Sequence, residues 1–255
     1  MRVKDKLFDD VPNRIGTSSL KWAKYEGSQI IPLWVADMDF RSPPAVLNAA
    51  HEICKEGNFG YGICPPSLTE AIVSRMDDLY SWSISNGWIT WLPGMVCGLN
   101  VSCRALADLS SQVITNTPVY PPFLSSPGYS GLSCTKVPMV LVEGRFTINF
   151  DYLRDLKTEK GDLFMLCHPH NPVGTNFTRK ELTQLSEYII ERELFICSDE
   201  IHCDLILEHS LPHIPLASLS EEIASRTITL MAPSKTFNLA GFGCSFAVIS
   251  NGDLR

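Results

Sequence analysis

From residue 42 onward the sequence alternates between short apolar runs, rich in β-branched residues, and longer segments with helical periodicity. The apolar runs predict strands at 111–118, 131–140, 162–169, 193–200, 226–233 and 243–250. The amphipathic segments predict helices at 45–57, 67–80, 94–108, 148–159 and 179–193. Strands that alternate with helices of about 10–15 residues form βαβ units, which place helices on both faces of a parallel sheet. The sequence therefore predicts an α/β fold with a mostly parallel mixed sheet covered on both faces.

The first forty or so residues have a different character. They are irregular, contain many turn-forming residues and include Trp22 and Trp34. We therefore expect residues 1–41 to form an N-terminal arm, or a segment of a small domain, and residues 42–255 to form one large domain. A chain of 255 residues is long enough to bury a sizeable core in such a domain.

Charge and composition argue against several classes of partner. The net charge is −7, and the sequence has no Lys/Arg-rich run, so binding to nucleic acid or an anionic membrane has no electrostatic support. It has no apolar stretch of about 18 residues, the length that a membrane span needs. Nine cysteines without C-x-x-C spacing are typical of free thiols in a reducing cytosol. These features predict a cytoplasmic protein that binds neither nucleic acid nor membrane.

Three polar residues follow three successive predicted strands. Asn171 comes shortly after the strand at 162–169, Asp199 lies at the end of the next strand, and Lys235 follows the one after that. Ligands of open α/β sheets bind outside the carboxyl ends of the strands. We therefore expect these three side chains at one rim of the sheet.

Lys235 is the only charged residue between Thr227 and Gly252. A desolvated lysine has a lowered pKa, and its free amine is then available for Schiff-base chemistry. A surface lysine in a loop between two buried strands explains the pattern equally well. Asp199 is similarly open to interpretation, because a carboxylate after a buried strand can cap a helix, bind a metal or pair with a buried cation.

A metal site is a weaker alternative. His168, His170, Asp199, Glu200 and His202 are ligand types, but their spacing matches no established metal motif, so no metal is predicted. A metal-dependent hydrolase is the alternative function that these ligand types would indicate. The sequence contains no G-x-S-x-G elbow, Walker A loop or G-x-G-x-x-G turn.

Eight stretches, taken in order, resemble the fold-type I class I/II aminotransferase family of pyridoxal 5′-phosphate (PLP) enzymes. The matching stretches are 13–17, 34–40, 59–62, 93–96, 117–120, 168–174, 198–202 and 232–241. Within the family, the segments WVADMDF at 34–40 and SDEIH at 198–202 favour the cystathionine β-lyase (C–S lyase) branch. The resemblance spans nearly the whole chain and implies PLP as the cofactor.

The resemblance also implies roles for the residues around the cofactor ring. Lys235 would hold the aldehyde and remove the substrate Cα proton, and Asp199 would keep the ring nitrogen protonated. Asn171 would hydrogen-bond the ring oxygen and help to bind the substrate. His202 stands where many aminotransferases have a tyrosine for that oxygen. Tyr120 would stack on the ring and is expected among the catalytic residues.

The phosphate and the substrate carboxylate have their own implied partners. Backbone N–H groups of Met95 and Val96 would bind the phosphate at the start of a helix, and Ser234 would add a hydroxyl. Tyr61 would reach the phosphate of a neighbouring subunit, which implies a homodimer. Ala36 would lie near the carboxylate of an amino-acid substrate. Each position also has an ordinary structural explanation, as a core, turn or interface residue.

The implied reaction is α,β-elimination of L-cystathionine or a related cysteine conjugate to a thiol, pyruvate and ammonia. An aminotransferase using the same cofactor is the alternative, and a truncated, non-catalytic remnant of the family is another. Family members continue past the strand that follows the lysine for more than about 100 residues, the size of a further small domain. We therefore expect residues 42–255 to be a PLP-binding large domain that is incomplete at its C-terminus and lacks the carboxylate-binding arginine.

Overall fold

A computed structural model describes residues 8–208 and 210–255 of the chain. These residues form two compact units. The first unit consists of the described part of Met1–Ile63 together with Pro233–Phe242, and the second of Cys64–Ala232 with Gly243–Arg255, without His209. The expected division into residues 1–41 and 42–255 stays a prediction.

The second unit is built on a seven-stranded sheet. Along the chain the strands are β1 (Ile89–Leu92), β2 (Gln112–Thr117), β3 (Ser133–Pro138), β4 (Val140–Val142), β5 (Arg145–Thr147), β6 (Leu163–Cys167), β7 (Phe195–Asp199), β8 (Thr227–Met231) and β9 (Ser245–Val248). The sheet order is β1-β9-β8-β7-β6-β2-β3, while β4 and β5 form a separate hairpin. The five strands from β8 to β3 are parallel to one another. Strand β9 is antiparallel to both of its neighbours, β8 and β1, so β1 runs in the same direction as the five parallel strands. The predicted α/β fold with a mostly parallel mixed sheet is confirmed.

The helices partly follow the predicted pattern. They are α1 (Leu20–Ala23), α2 (Pro44–Glu56), α3 (Pro66–Tyr80), α4 (Met95–Ala105), α5 (Pro122–Tyr129), α6 (Phe150–Asp155), α7 (Arg179–Glu191) and α8 (Glu221–Ala224). No helix among the described residues combines the length and apolar character needed to span a bilayer.

Helices pack on both faces of the sheet because adjacent strand residues point in opposite directions. Val113 lies in one buried cluster with Leu99 of α4 and Phe123 of α5. Its neighbour Ile114 lies in the other cluster, which contains the apolar residues of α7 that include Leu185. Strands β6 and β8 are buried along their whole length, so a polar residue of this layer can reach a ligand only from a strand end.

Strand β1 and helix α5 were not predicted. β1 has four residues and pairs only with β9 at the edge of the sheet, so it lacks the long apolar run that marks an inner strand. Helix α5 spans eight residues and contains Pro127, and its proline and serine content is typical of turns. The predicted strand at 131–140 ends at Pro138, because Val140 begins the β4–β5 hairpin.

The start of α7 is fixed by the partly buried carboxylate of Glu181. The Thr178 hydroxyl accepts the N–H of Glu181, and Glu181 Oε2 accepts the N–H of Thr178 at 2.7 Å, which forms a capping box. Arg145 of β5 donates to both carboxylate oxygens, at 2.7 and 2.9 Å, and Thr147 donates to one of them. Burial alone would raise the pKa of Glu181, but the hydrogen bonds from Arg145, Thr147 and Thr178 lower it to about 2.

The substitution Glu181→Gln tests this anchor. We expect it to lower the free energy of unfolding by about 1–3 kcal/mol at pH 7, through loss of the charge-assisted bonds. The pKa of this carboxyl is lower in the folded state than its ordinary 4.5, so its contribution is present above pH 4.5 and is lost as the pH falls towards 2. Urea unfolding at pH 7, 4 and 2.5 should show the two proteins converging. A difference that stays constant with pH would contradict this assignment.

Candidate functional site

The carboxyl ends of β6 and β7 place Asn171 and Asp199 at the same edge of the sheet. The two strands are parallel, and Cys167 at the end of β6 pairs with Asp199 at the end of β7. The N–H of His168 donates to the Asp199 carbonyl at 2.9 Å. Beyond it, the Asn171 carbonyl accepts the N–H of Tyr120 at 3.0 Å. The structure therefore brings the backbones of three predicted site residues, Tyr120, Asn171 and Asp199, to one edge of the second unit.

Asp199 is a buried carboxylate in this arrangement, since the residue is 4% exposed. Its Oδ1 accepts the N–H of Ile201 at 3.1 Å, which orients the side chain at the start of the turn. His202 follows in the same turn and is partly buried. A carboxylate held this far from water favours positively charged partners, because burying it without compensation is costly. A protonated pyridine nitrogen is such a partner.

Asn171 is held by a residue that the sequence did not single out. The Sγ atom of Cys167 accepts the N–H of Asn171 at 3.3 Å. Burial, followed by the negative charge of Asp199, raises the pKa of the Cys167 thiol well above its ordinary value. Cys167 is therefore a neutral thiol that supports the backbone of Asn171.

The buried ring of His170 lies between two backbone segments at the same edge of the sheet. The residue is 1% exposed, and its Nε2 and Nδ1 atoms lie 2.8 Å from the Pro118 carbonyl and 3.2 Å from the Cys167 carbonyl. Burial lowers the pKa of its imidazole. The neutral ring has one N–H, which donates to one of these two carbonyls, and the ring lies between the segment that leads to Tyr120 and the end of β6.

Two other residues of the ligand types considered for a metal, Glu200 and His168, also contact protein atoms. Nε2 of His213 lies 2.7 Å from Oε2 of the fully buried Glu200, and Oε1 of Glu200 accepts the hydroxyl of Ser198. The His168 ring stacks on that of His213 with centroids 4.5 Å apart, and burial holds its pKa well below the ordinary value. Within the described ranges, no three His, Cys, Asp or Glu side chains are arranged to hold a metal ion.

The N-terminus of α4 offers a place for an anion. Gly94 precedes Met95 and Val96, and no side chain caps the helix. A methyl group placed on Gly94 would meet no atom within 4 Å, so there is open space beside the first turn. The first N–H groups of a helix have no partner within the helix and carry the positive end of its dipole. This uncapped helix start is compatible with an anion, and the phosphate contact that the family resemblance implies for Met95 and Val96 stays a prediction.

Within the first unit, Lys235 and Ala36 are brought together. Lys235 Nζ donates to the Ala36 carbonyl at 2.8 Å, although the two residues are 199 positions apart in sequence. Lys235 and the neighbouring Ser234 are partly buried. The side chain of Tyr61 is fully exposed in this single chain, so the predicted contact of Tyr61 with a second subunit remains a prediction.

Comparison with known proteins identifies the family. Residues 28–254 match the family Aminotransferase class I and II. Cystathionine beta-lyase PatB of Bacillus subtilis (strain 168) is 37% identical over 250 residues, which are 95% of this chain and 64% of PatB. The chain thus spans about two thirds of the length of this relative.

Solved structures agree with the sequence comparison. The crystal structure of OvoB matches with a TM-score of 0.92 and 42% sequence identity. The match covers 96% of this chain and 65% of the OvoB chain. The PLP-bound C–S lyase from Staphylococcus hominis has a TM-score of 0.87 and 31% identity, with 97% and 64% coverage. This chain therefore belongs to the aminotransferase class I and II family.

Proposed function

We propose that this protein binds PLP and cleaves the carbon–sulfur bond of L-cystathionine or a related L-cysteine conjugate. The observation that carries the proposal is the buried carboxylate of Asp199, held at the carboxyl end of β7 beside Asn171 and Tyr120. Relatives that are named cystathionine beta-lyase and C–S lyase support the choice of reaction.

The bound cofactor would supply an electron-withdrawing ring that stabilises negative charge at the substrate α-carbon. Lys235 would bond the cofactor aldehyde through Nζ and, once released, take the proton from the α-carbon. The Ala36 carbonyl, which accepts from Nζ at 2.8 Å, would orient the amine. In the overall elimination, the Cα–H and Cβ–S bonds break, the sulfur leaves as a thiol, and one water is consumed as pyruvate and ammonia form.

Other residues of the chain would fix the ring. Asp199 would pair with the protonated ring nitrogen, and this pairing is strong because the carboxylate is shielded from water. Asn171 and His202 would hydrogen-bond the ring oxygen, and Asn171 would also contact the substrate. Tyr120, which is 40% exposed, has a ring face available for stacking. Its backbone bond to Asn171 would keep the stacking ring and the amide in register.

The phosphate would be bound by the N–H groups of Met95 and Val96, with a hydroxyl from Ser234. Tyr61 would contact the phosphate of a second subunit, and we propose that the active protein is a homodimer. Two features of the first unit support a partner. The Tyr61 side chain is fully exposed, and α2 is amphipathic, yet it buries none of its residues within this chain.

The catalytic role of Lys235 predicts a large loss of activity in Lys235→Ala. With PLP and L-cystathionine, pyruvate release should fall by about 10³-fold, because the residue that moves the proton is removed. Coupling pyruvate to lactate dehydrogenase gives the rate. Lys160→Ala, which changes a highly exposed lysine of the second unit, should keep the wild-type rate. A Lys235→Ala protein that retains wild-type turnover would exclude this lysine from the chemistry.

The same assay separates the lyase from an aminotransferase. A lyase releases pyruvate and a thiol without any added 2-oxo acid, and the thiol is measured with a chromogenic disulfide. An aminotransferase moves the amino group to an added 2-oxo acid and leaves the carbon–sulfur bond intact. If wild-type protein shows only amino transfer, the lyase assignment is wrong and the aminotransferase takes its place.

Asp199→Asn tests the pairing with the ring nitrogen. The variant keeps the shape and the hydrogen bond to Ile201 but removes the negative charge, so pyruvate release should fall by about 10²–10³-fold, as for loss of one preorganised electrostatic partner. PLP should still bind, with a changed visible absorption spectrum. Asp151→Asn, at an exposed position of α6, is the matched control. Unchanged rate and spectrum in Asp199→Asn would contradict the proposed role.

A further inference from the structure

Asn238 joins the segment of Lys235 to a loop near the N-terminus. Its Oδ1 accepts the N–H of Met38 at 3.1 Å, and its Nδ2 donates to the carbonyls of Met38 at 3.2 Å and Phe40 at 3.0 Å. The Ser42 hydroxyl donates to the Asn238 carbonyl at 3.0 Å. Both ends of one side-chain amide are thus used to hold a loop about 200 residues away in sequence. We call these three amide contacts the Asn238 clamp.

Backbone hydrogen bonds connect Asn238 to the turn that contains Lys235. The N–H of Phe237 donates to the Pro233 carbonyl at 3.0 Å, and the N–H of Leu239 donates to the Ser234 carbonyl at 2.8 Å. Lys235 lies inside both of these hydrogen-bonded turns. Asn238 itself has a φ of 57°, a left-handed conformation that asparagine adopts more readily than most residues. Fixing Asn238 therefore fixes the backbone that carries Lys235.

The loop that the clamp holds is itself anchored by charge. Arg14 donates to both carboxylate oxygens of Asp37, at 2.9 and 2.7 Å. Lys21 is 4% exposed, and its Nζ donates to the Asp37 carbonyl and to Asp39, each at 2.7 Å. Trp22 adds an N–H donor to Asp39 at 2.9 Å.

These hydrogen bonds and ion pairs hold loop 36–40 in one conformation. Bidentate arginine–carboxylate pairs are directional as well as strong. Burial would raise the pKa of Asp39, but hydrogen bonds from Lys21 and Trp22 hold it below its ordinary value, so the anchor is ionised at neutral pH. The Ala36 carbonyl that accepts from Lys235 immediately precedes Asp37.

From these contacts we infer that Asn238 is a positioning residue for Lys235. The clamp ties the lysine's turn to the loop 36–40, and it thereby sets where Nζ lies against the Ala36 carbonyl. The effect of Asn238 on PLP binding rests on the function proposed above. The effect of Asn238 on the position of the Lys235 amine depends only on contacts within the chain.

The variants follow from the backbone conformation. Asn238→Gly removes the clamp and keeps the left-handed conformation without strain. Asn238→Asp keeps the acceptor for the Met38 N–H and loses the two donated bonds. Ser28→Ala is the control, because it removes a side-chain bond of 2.7 Å to the Tyr25 carbonyl in the same unit and none of the three bonds of the Asn238 clamp.

The first readout is the reactivity of the Lys235 amine in protein without PLP. Trace labelling with acetic anhydride, read by peptide mass spectrometry and normalised to the exposed Lys160, gives its relative rate. In Asn238→Gly this rate should rise about tenfold, as expected for loss of two or three modest hydrogen bonds. Asn238→Asp should also raise it, because a carboxylate oxygen then faces the Met38 and Phe40 carbonyls in place of a donor, and Ser28→Ala should leave it unchanged. If Asn238→Gly fails to fold by circular dichroism, Asn238→Asp decides.

The second readout is the Kd for PLP, measured by absorbance titration. It should rise about tenfold in Asn238→Gly and stay unchanged in Ser28→Ala. Labelling of Lys235 that is the same in wild type and in the folded Asn238 variants would overturn the inference, whether or not PLP binds. Conversely, if labelling rises but wild-type protein binds no PLP, the clamp stands and the proposed function fails.

Discussion

The parallel alignment of β6, β7 and β8 is the constraint on which the candidate site depends. Each strand has five residues, and β6 and β8 are buried throughout. A residue within such a strand has no access to a ligand, whereas a residue that follows it emerges at the edge of the sheet. The pairing of Cys167 with Asp199 fixes the register of this edge. Asp199 is therefore held in place by the strand pairing of the sheet and does not belong to a flexible loop.

A second constraint acts on the segment that follows β8. Lys235 lies in turns that are not part of a strand, so no strand pairing fixes them. Its position is set by contacts with loop 36–40 in the first unit. That loop depends in turn on a buried lysine and a bidentate arginine pair. Removing one residue of such a network lowers the free energy of unfolding by more than the loss of an exposed ion pair does. The N-terminal residues thus help to set the position of a lysine far along the chain.

Sequence patterns predicted what depends on local order. The apolar runs located the inner strands, and the long uncharged stretch around Lys235 distinguished this lysine from the others. The resemblance to a family added roles, but it did not show how the residues are supported. β1 and α5 were missed because a four-residue edge strand and a helix containing Pro127 lack a clear periodicity. Cys167 and Asn238 were missed for a different reason, since their hydrogen-bond partners are set by tertiary structure and leave no local signal.

The central claim is that Lys235, among the lysines of the chain, bonds the cofactor. Borohydride reduction of the PLP-loaded protein fixes this bond, and peptide mapping by mass spectrometry then locates the attached pyridoxyl group. We expect a single modified peptide that contains Lys235. Modification of the buried Lys21 or of any other lysine in its place, or the absence of a reducible bond, would contradict it.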